Sequence, residues 1–223
     1  KKIHTHINGI DLVKDTISDK WVILEDNLRV PSGASYPLSI RDTYRKIYPS
    51  FFEKLKIKPI KEYPSMLRES MDYVNCGGIN VVLTPGRFNS AYYEHAYLAK
   101  KIGAQLVRNN ELVVQNKVLY FKNYDGRLIR VGAVYRRLDD EFLDPKFFNE
   151  ESLIGVPGIM EVYLSGNVAI MNAPGNGVAD DKGIYYFVPK MIKYYLGEEP
   201  ILDNAPTYLP YFEQDKKYIF ENI

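Results

Sequence analysis

Glu25, Asn27 and Arg29 stand at alternate positions within W-V-I-L-E-D-N-L-R-V-P-S-G-A-S-Y, the stretch from Trp21 to Tyr36. In an extended chain every second side chain points the same way, so these three share a face at the end of a strand. A carboxylate, a neutral amide oxygen and a guanidinium in a row suit a magnesium-bound polyphosphate. Mg²⁺ takes oxygen ligands in an octahedron at about 2.1 Å, commonly one or two carboxylates with phosphate oxygens and water. The amide of Asn27 adds an oxygen without adding charge, and the fork of Arg29 matches a phosphoryl group. A pattern this short also describes a solvated strand end with an exposed ion pair.

The elements around these residues decide which description applies. Trp21–Leu24 is an apolar run that predicts a buried strand, ended by Pro31 and Gly33. Ile3 to Lys14 reads as a preceding strand with a bulge or kink at Gly9. A turn at Ile17-Ser18-Asp19 would pair the two antiparallel and set Asp11 beside Glu25, completing a metal site. Asp11 reads equally as a surface charge.

Further along, Tyr44, Ile47, Tyr48, Phe51, Phe52 and Leu55 recur at helical spacing, with Pro49 dividing the run into two short helices or kinking one. The aromatic stripe predicts a core face. Pro64–Tyr73 reads as a further helix with proline in its first turn. Ile79–Thr84 predicts a buried strand, followed by Pro85-Gly86-Arg87-Phe88-Asn89-Ser90 and a helix N-capped by Ser90. A loop from a strand into a helix is a usual docking place for an anion in an open α/β sheet, so Arg87, Asn89 and Ser90 are candidates to hold a substrate carboxylate or phosphate. His95, on the inner face of that helix, reads as a core histidine rather than a general base.

Gln105–Val107 predicts the next strand, and Val118–Phe121 with Leu128–Val131 a hairpin around Asn123-Tyr124-Asp125-Gly126. Ala133–Tyr135 leads as a strand into Arg136-Arg137-Leu138-Asp139-Asp140, either a substrate clamp or two ion pairs shaping a loop. Residues 153–164 read as a loop and a short helix. Val168–Met171 predicts a strand opening onto the flexible Asn172-Ala-Pro-Gly-Asn-Gly177-Val-Ala-Asp-Asp-Lys182, which lacks P-loop spacing. Residues 183–196 predict helix around Pro189.

Lys and Arg total 29 against 28 Asp and Glu in 223 residues, so nothing argues for a nucleic-acid groove or an anionic membrane surface. Nineteen Tyr and ten Phe favour order. Cys76 is the only cysteine, which excludes an intrachain disulfide and points to a reducing, cytoplasmic compartment. No apolar run is long enough to span a bilayer and no signal peptide stands at the start. The abrupt start at Lys1-Lys2-Ile3 and the end at Ile223 read as the limits of a piece of a longer protein.

Five stretches carry a resemblance: V-I-L-E-D-N-L-R-V-P-S-G, L-T-P-G-R-F-N-S-A-Y-Y-E-H-A, V-Y-R-R-L-D-D-E-F-L-D-P, N-A-P-G-N-G-V-A-D-D-K and Y-Y-L-G-E-E-P-I-L. Together they make the chain similar to the circularly permuted ATP-grasp proteins (type 2), whose relatives include glutathionylspermidine synthase. The resemblance implies an α/β fold of mixed α+β character, a Rossmann-like substrate domain joined to part of a circularly permuted ATP-grasp module. Residues 1–75 would carry the magnesium-binding strands and the following helices, 76–182 the α/β substrate domain, and 183–223 a segment leading into the nucleotide-binding part. It implies Asp11, Glu25 and Asn27 as Mg²⁺ ligands and Arg29 as the catalytic phosphate contact. ATP would be co-substrate, and Arg87, Asn89, Ser90, Arg136 and Arg137 would hold substrate.

The activity implied is that of a carboxylate–amine ligase working through an acyl phosphate. Its partners would be a small-molecule or peptide carboxylate and an amine acceptor, with no nucleic acid or membrane. The family continues into strands with a V-K-P-type lysine and a glycine-rich loop over the nucleotide. The main ATP site is therefore expected beyond residue 223, and these residues alone are expected not to turn over ATP. The alternatives are a non-catalytic ATP-grasp-like binding or scaffolding protein and, on fold analogy only, a sugar-nucleotide enzyme.

Overall fold

The computed structural model describes residues 3–222; Lys1, Lys2 and Ile223, and with them the two ends read above, lie outside the described residues. In chain order the strands are β1 (Gly9–Lys14), β2 (Trp21–Asn27), β3 (Ile79–Leu83), β4 (Gln105–Val107), β5 (Leu112–Gln115), β6 (Val118–Lys122), β7 (Leu128–Arg136) and β8 (Ala169–Met171). The helices are α1 (Ser35–Ile47), α2 (Pro49–Lys54), α3 (Tyr63–Val74), α4 (Tyr92–Ile102), α5 (Asp140–Leu143), α6 (Ile159–Leu164), α7 (Lys182–Tyr185), α8 (Val188–Leu196) and α9 (Glu213–Glu221). They fall into two compact units, one of residues 3–6 and 32–174, the other of residues 7–31 and 175–222.

The larger unit is built on a mixed sheet in the order β4-β3-β7-β6-β5, with β8 pairing the second half of β7, past the residues that pair with β6. The long strand β7 makes the sheet mixed. Its first half pairs antiparallel with β6, and its second half runs parallel to both β3 and β8. Val81, Val82 and Leu83 have no exposed surface, as expected of a parallel strand covered on both faces. The core gathers Val81, Leu83, Val134 and Ile170 from the sheet with Ile159 and Val162 of α6. Leu67 and Met71 of α3 and Leu98 and Ile102 of α4 are buried as well. Gly103 ends α4 at φ +67°, and its N–H returns to the last turn.

The smaller unit carries the β1–β2 ladder, antiparallel as the turn at residues 17–19 predicts. Its bulge lies between Asp11 and Leu12 rather than at Gly9, and the strand starts at Gly9 instead of Ile3. Gly9 is required for a different reason: a Cβ there would stand 2.9 Å from the Pro31 Cβ. β2 gains a second partner, since the Ile23 N–H donates to Asp203 O at 2.9 Å and Ile23 O accepts from Ala205 at 2.8 Å.

Two expectations about burial fail. Trp21 and Leu24 are 55% and 48% exposed, because a two-stranded ribbon has no second layer to cover it. The stripe Tyr44, Ile47, Tyr48 and Phe51 is likewise on the surface, although Pro49 divides α1 from α2 as read. Apolar periodicity identifies a face, not what covers it.

Candidate functional site

In the smaller unit the strand register sets Asp11 directly opposite Glu25. Their side chains hydrogen-bond, and the Asn27 amide contacts both carboxyl groups. The arrangement follows from the antiparallel register, Gly9 opposite Asn27 and Asp11 opposite Glu25, with the bulge just after Asp11. Lys182, at the start of α7, places its Nζ 2.5 Å from Glu25 Oε2. Desolvation, followed by the adjoining Glu25, pushes the Asp11 carboxyl above the usual carboxylate range. The Lys182 ammonium holds Glu25 below that range, and Glu25 in turn raises Lys182.

The donor set fits a hard divalent cation. Two carboxylates and the Asn27 amide, which here turns its N–H toward them, meet beside a positive charge, the Lys182 ammonium; the same amide turned over offers its oxygen, and Mg²⁺ needs no more than one or two protein carboxylates. Among the described residues no group of three or more His, Cys, Asp or Glu could hold a metal ion, so a softer or all-protein cage is not offered.

Arg29 lies just past β2. Its N–H and that of Leu28 donate to Asp180 Oδ1 at 3.1 and 2.6 Å, and its Nε stands 4.0 Å from Asp180 Oδ2. That Nε is buried without a hydrogen-bond partner. Gly177 makes room for it, since a Cβ there would fall 2.3 Å from Arg29 Nε. Asp180, Gly177 and Lys182 all come from the glycine-rich loop, which the sequence marked as flexible without assigning them a role. The D-D-K ending of that loop is the signal that could have nominated two of them. Asp181 caps α7 through hydrogen bonds from the Gly183 and Ile184 N–H groups.

The other candidates belong to the larger unit. Arg87, Asn89 and Ser90 are exposed in the loop after β3. The Asn89 Oδ1 accepts the Ala91 N–H at 2.9 Å, and α4 begins at Tyr92 with Ala91 at its N-cap, so Ser90 does not cap the helix. Arg136 ends β7, the strand beside β3, and Arg137 follows it, with both guanidiniums buried. Arg136 donates to Asn172 O and Leu138 O, each at 2.8 Å, and pairs with Asp140 at 2.7 Å. Arg137 donates to Glu94 Oε1 at 3.1 Å and to the Tyr135 hydroxyl at 2.9 Å. Glu94 also accepts from the N–H groups of Gly33 and Ser35 and from the Ser35 hydroxyl. Nothing in local spacing links Glu94 to Arg137, which lie 43 residues apart.

His95 is buried against Thr84, with its Nδ1 2.8 Å from the hydroxyl. Burial, followed by the charge of Arg137, lowers it to about 4, so it is neutral at physiological pH, as a core histidine should be. No helix among the described residues is long and apolar enough to cross a membrane.

The chain is 50% identical over 222 residues to an uncharacterized protein of Synechocystis sp., covering 98% of this chain and 46% of that protein. It is 39% identical over 225 residues to an uncharacterized protein of Mycobacterium tuberculosis, covering 99% of this chain and 40% of that one. A Frankia alni protein named "Putative glutamate--cysteine ligase 2-3" is 36% identical over 220 residues, which are 96% of this chain and 25% of that protein. The chain thus spans less than half the length of these relatives. The family model described as a circularly permuted ATP-grasp matches residues 1–223, and the chain belongs to that family.

Proposed function

We propose that this chain holds the metal and substrate of an ATP-dependent carboxylate–amine ligase. The observation that supports this reading most is the opposition of Asp11 and Glu25 with Asn27 touching both. The family uses ATP and Mg²⁺ in general, and the ligase name of the Frankia relative agrees with the reaction class. Asp11, Glu25 and Asn27 would hold Mg²⁺, which when bound neutralises phosphate oxygens as a Lewis acid.

In the reaction a substrate carboxylate oxygen attacks the γ-phosphorus of ATP, and the bond to the β,γ-bridging oxygen breaks to release ADP. The amine lone pair then attacks the acyl carbon. Phosphate leaves with the C–O electron pair, and the amine proton passes to solvent. Such transfers need positioning and charge stabilisation more than covalent help from the protein. Arg29 stabilises the transferring phosphoryl group, held by Asp180 and given room by Gly177. Arg87, Asn89 and Ser90 hold the acyl substrate or acceptor, while Arg136 and Arg137 shape the adjoining strand end. The half-buried free thiol of Cys76 agrees with a reducing, cytoplasmic setting.

The test is ADP release by the full-length protein with a panel of carboxylates and amines. Glu25→Gln is expected to lower Mg²⁺-dependent turnover at least ~100-fold with the melting temperature unchanged. Undiminished turnover in that variant would move the metal site elsewhere.

A further inference from the structure

The larger unit has a second feature that the metal set does not use. A cavity of about 470 Å³ opens at the C-terminal ends of the parallel strands β3 and β4, within the range of small-ligand sites. Arg87 and Arg108 stand on it with Glu111, and Phe88, Tyr92 and Val107 give it an apolar and aromatic wall. Of these only Arg87 was legible as a candidate in the sequence, because Arg108 and Glu111 arrive from the far side of α4.

Several contacts hold the lining in place. Thr84 N donates to Val107 O at 2.9 Å, and the Thr84 hydroxyl accepts the Gly86 N–H at 3.1 Å, fixing the turn that presents Arg87. Gly86 sits at φ +109°, a conformation few other residues adopt. Arg87 lies over the Phe88 ring, 5.0 Å from its centroid. On the β4 side a 3₁₀ turn over Asn109–Glu111 ties the other two charges together, with Arg108 N–H donating to Glu111 Oε2 at 2.9 Å. Asn109 anchors the turn by donating to Leu153 O at 2.9 Å.

The charges have a pattern. The Arg108 guanidinium is only loosely paired, its Nε 3.6 Å from Glu111 Oε2, and is more than half exposed. Two guanidiniums against one carboxylate leave one net positive charge. Planar forks of this kind match a carboxylate two bonds at a time, whereas Glu111 offers an acceptor for an ammonium. A ligand carrying both groups on one carbon satisfies both signs at once, and a simple anion leaves Glu111 facing it.

We propose that this cavity binds an α-amino acid, its carboxylate between Arg87 and Arg108, its ammonium on Glu111 and its side chain along Phe88 and Tyr92. The inference deepens the ligase reading and rests on it only for the amino acid's role as substrate; binding itself needs no ATP.

The test is saturation-transfer NMR followed by calorimetry on the full-length protein without nucleotide, using the twenty proteinogenic L-amino acids. At least one is expected to bind saturably. Its decarboxylated amine and its N-acetyl derivative should each bind at least ~10-fold more weakly, one hydrogen-bonded charge being lost in each. Arg108→Met and, separately, Arg87→Met should weaken the parent amino acid by a similar factor without changing the melting temperature. Absence of saturable binding overturns the proposal, as do equal affinities for the three probes or for the variants. Amino-acid-dependent ADP formation that persists undiminished in both variants overturns this site and leaves the ligase. Binding without ADP formation under any acceptor overturns the ligase and leaves the site.

Discussion

Asp11 and Glu25 face each other as direct partners across the β1–β2 ladder, with the Lys182 ammonium against Glu25. Two carboxylates this close repel unless a proton or a cation offsets their charge, so the lysine and a divalent ion compete for the same oxygens. Lys182→Met in the full-length protein is therefore expected to bind Mn²⁺ several-fold more tightly in the absence of nucleotide, read by electron paramagnetic resonance. Unchanged or weaker Mn²⁺ binding would show that the lysine does not occupy the cation's place.

Gly177 is fixed by the side chain opposite it. A methyl group there overlaps Arg29 Nε, so Gly177→Ala forces either the loop or the guanidinium to move. The expected cost is about 1–3 kcal/mol in urea unfolding, accompanied by lower turnover. Gly175→Ala gives the contrast: its φ of +96° penalises a side chain, but nothing lies within 4 Å, so Arg29 and turnover should be less affected.

The Glu94–Arg137 pair is buried on both sides, with each side chain 1% exposed. Removing one partner leaves an uncompensated charge in the core. Arg137→Met should destabilise the larger unit by about 3–5 kcal/mol, and adding Glu94→Gln should recover part of that loss. Urea unfolding of the two variants and their combination measures the coupling. Full additivity would mean that the pair is not one unit.

His95 predicts a pH dependence with a definite sign. Its ordinary value is 6.5 and its folded value about 4, so between those limits the unfolded chain binds a proton that the folded chain refuses. Stability contributed by neutral His95 is present above pH 6.5 and is lost as pH falls toward 4, by on the order of 3 kcal/mol. Carboxylates titrate in the lower part of the same window, so the comparison is between wild type and His95→Gln. The variant should lose less stability from pH 7 to pH 4.5; equal losses would contradict the assignment.

The elements were more legible than their surroundings. The antiparallel pairing of residues 9–14 with 21–27, the break at Pro49 and the strand at Ile79–Leu83 follow from turn residues, proline and apolar runs, which act locally. Burial was less legible: Trp21 and Tyr44 belong to apolar patterns, yet what covers such a pattern is decided by distant chain. Spacing could place Asn27 two residues from Glu25, but not Lys182 against it, 157 residues on. The same holds for Asp180 beside Arg29 and for Arg108 on the cavity that Arg87 lines, placements made by topology. Arg136 and Arg137 illustrate the converse. Two adjacent arginines looked equally like a clamp and like structural ion pairs, and the sheet buries both among protein acceptors.

The most direct measurement is a crystal of the full-length protein grown with Mn²⁺ and a non-hydrolysable ATP analogue, with diffraction recorded at the manganese edge. An anomalous peak about 2.1–2.2 Å from oxygens of Asp11, Glu25 and Asn27, with Lys182 displaced from Glu25, is the result predicted. A peak elsewhere, or none with the Lys182–Glu25 contact intact, would contradict the assignment of these three side chains to the metal.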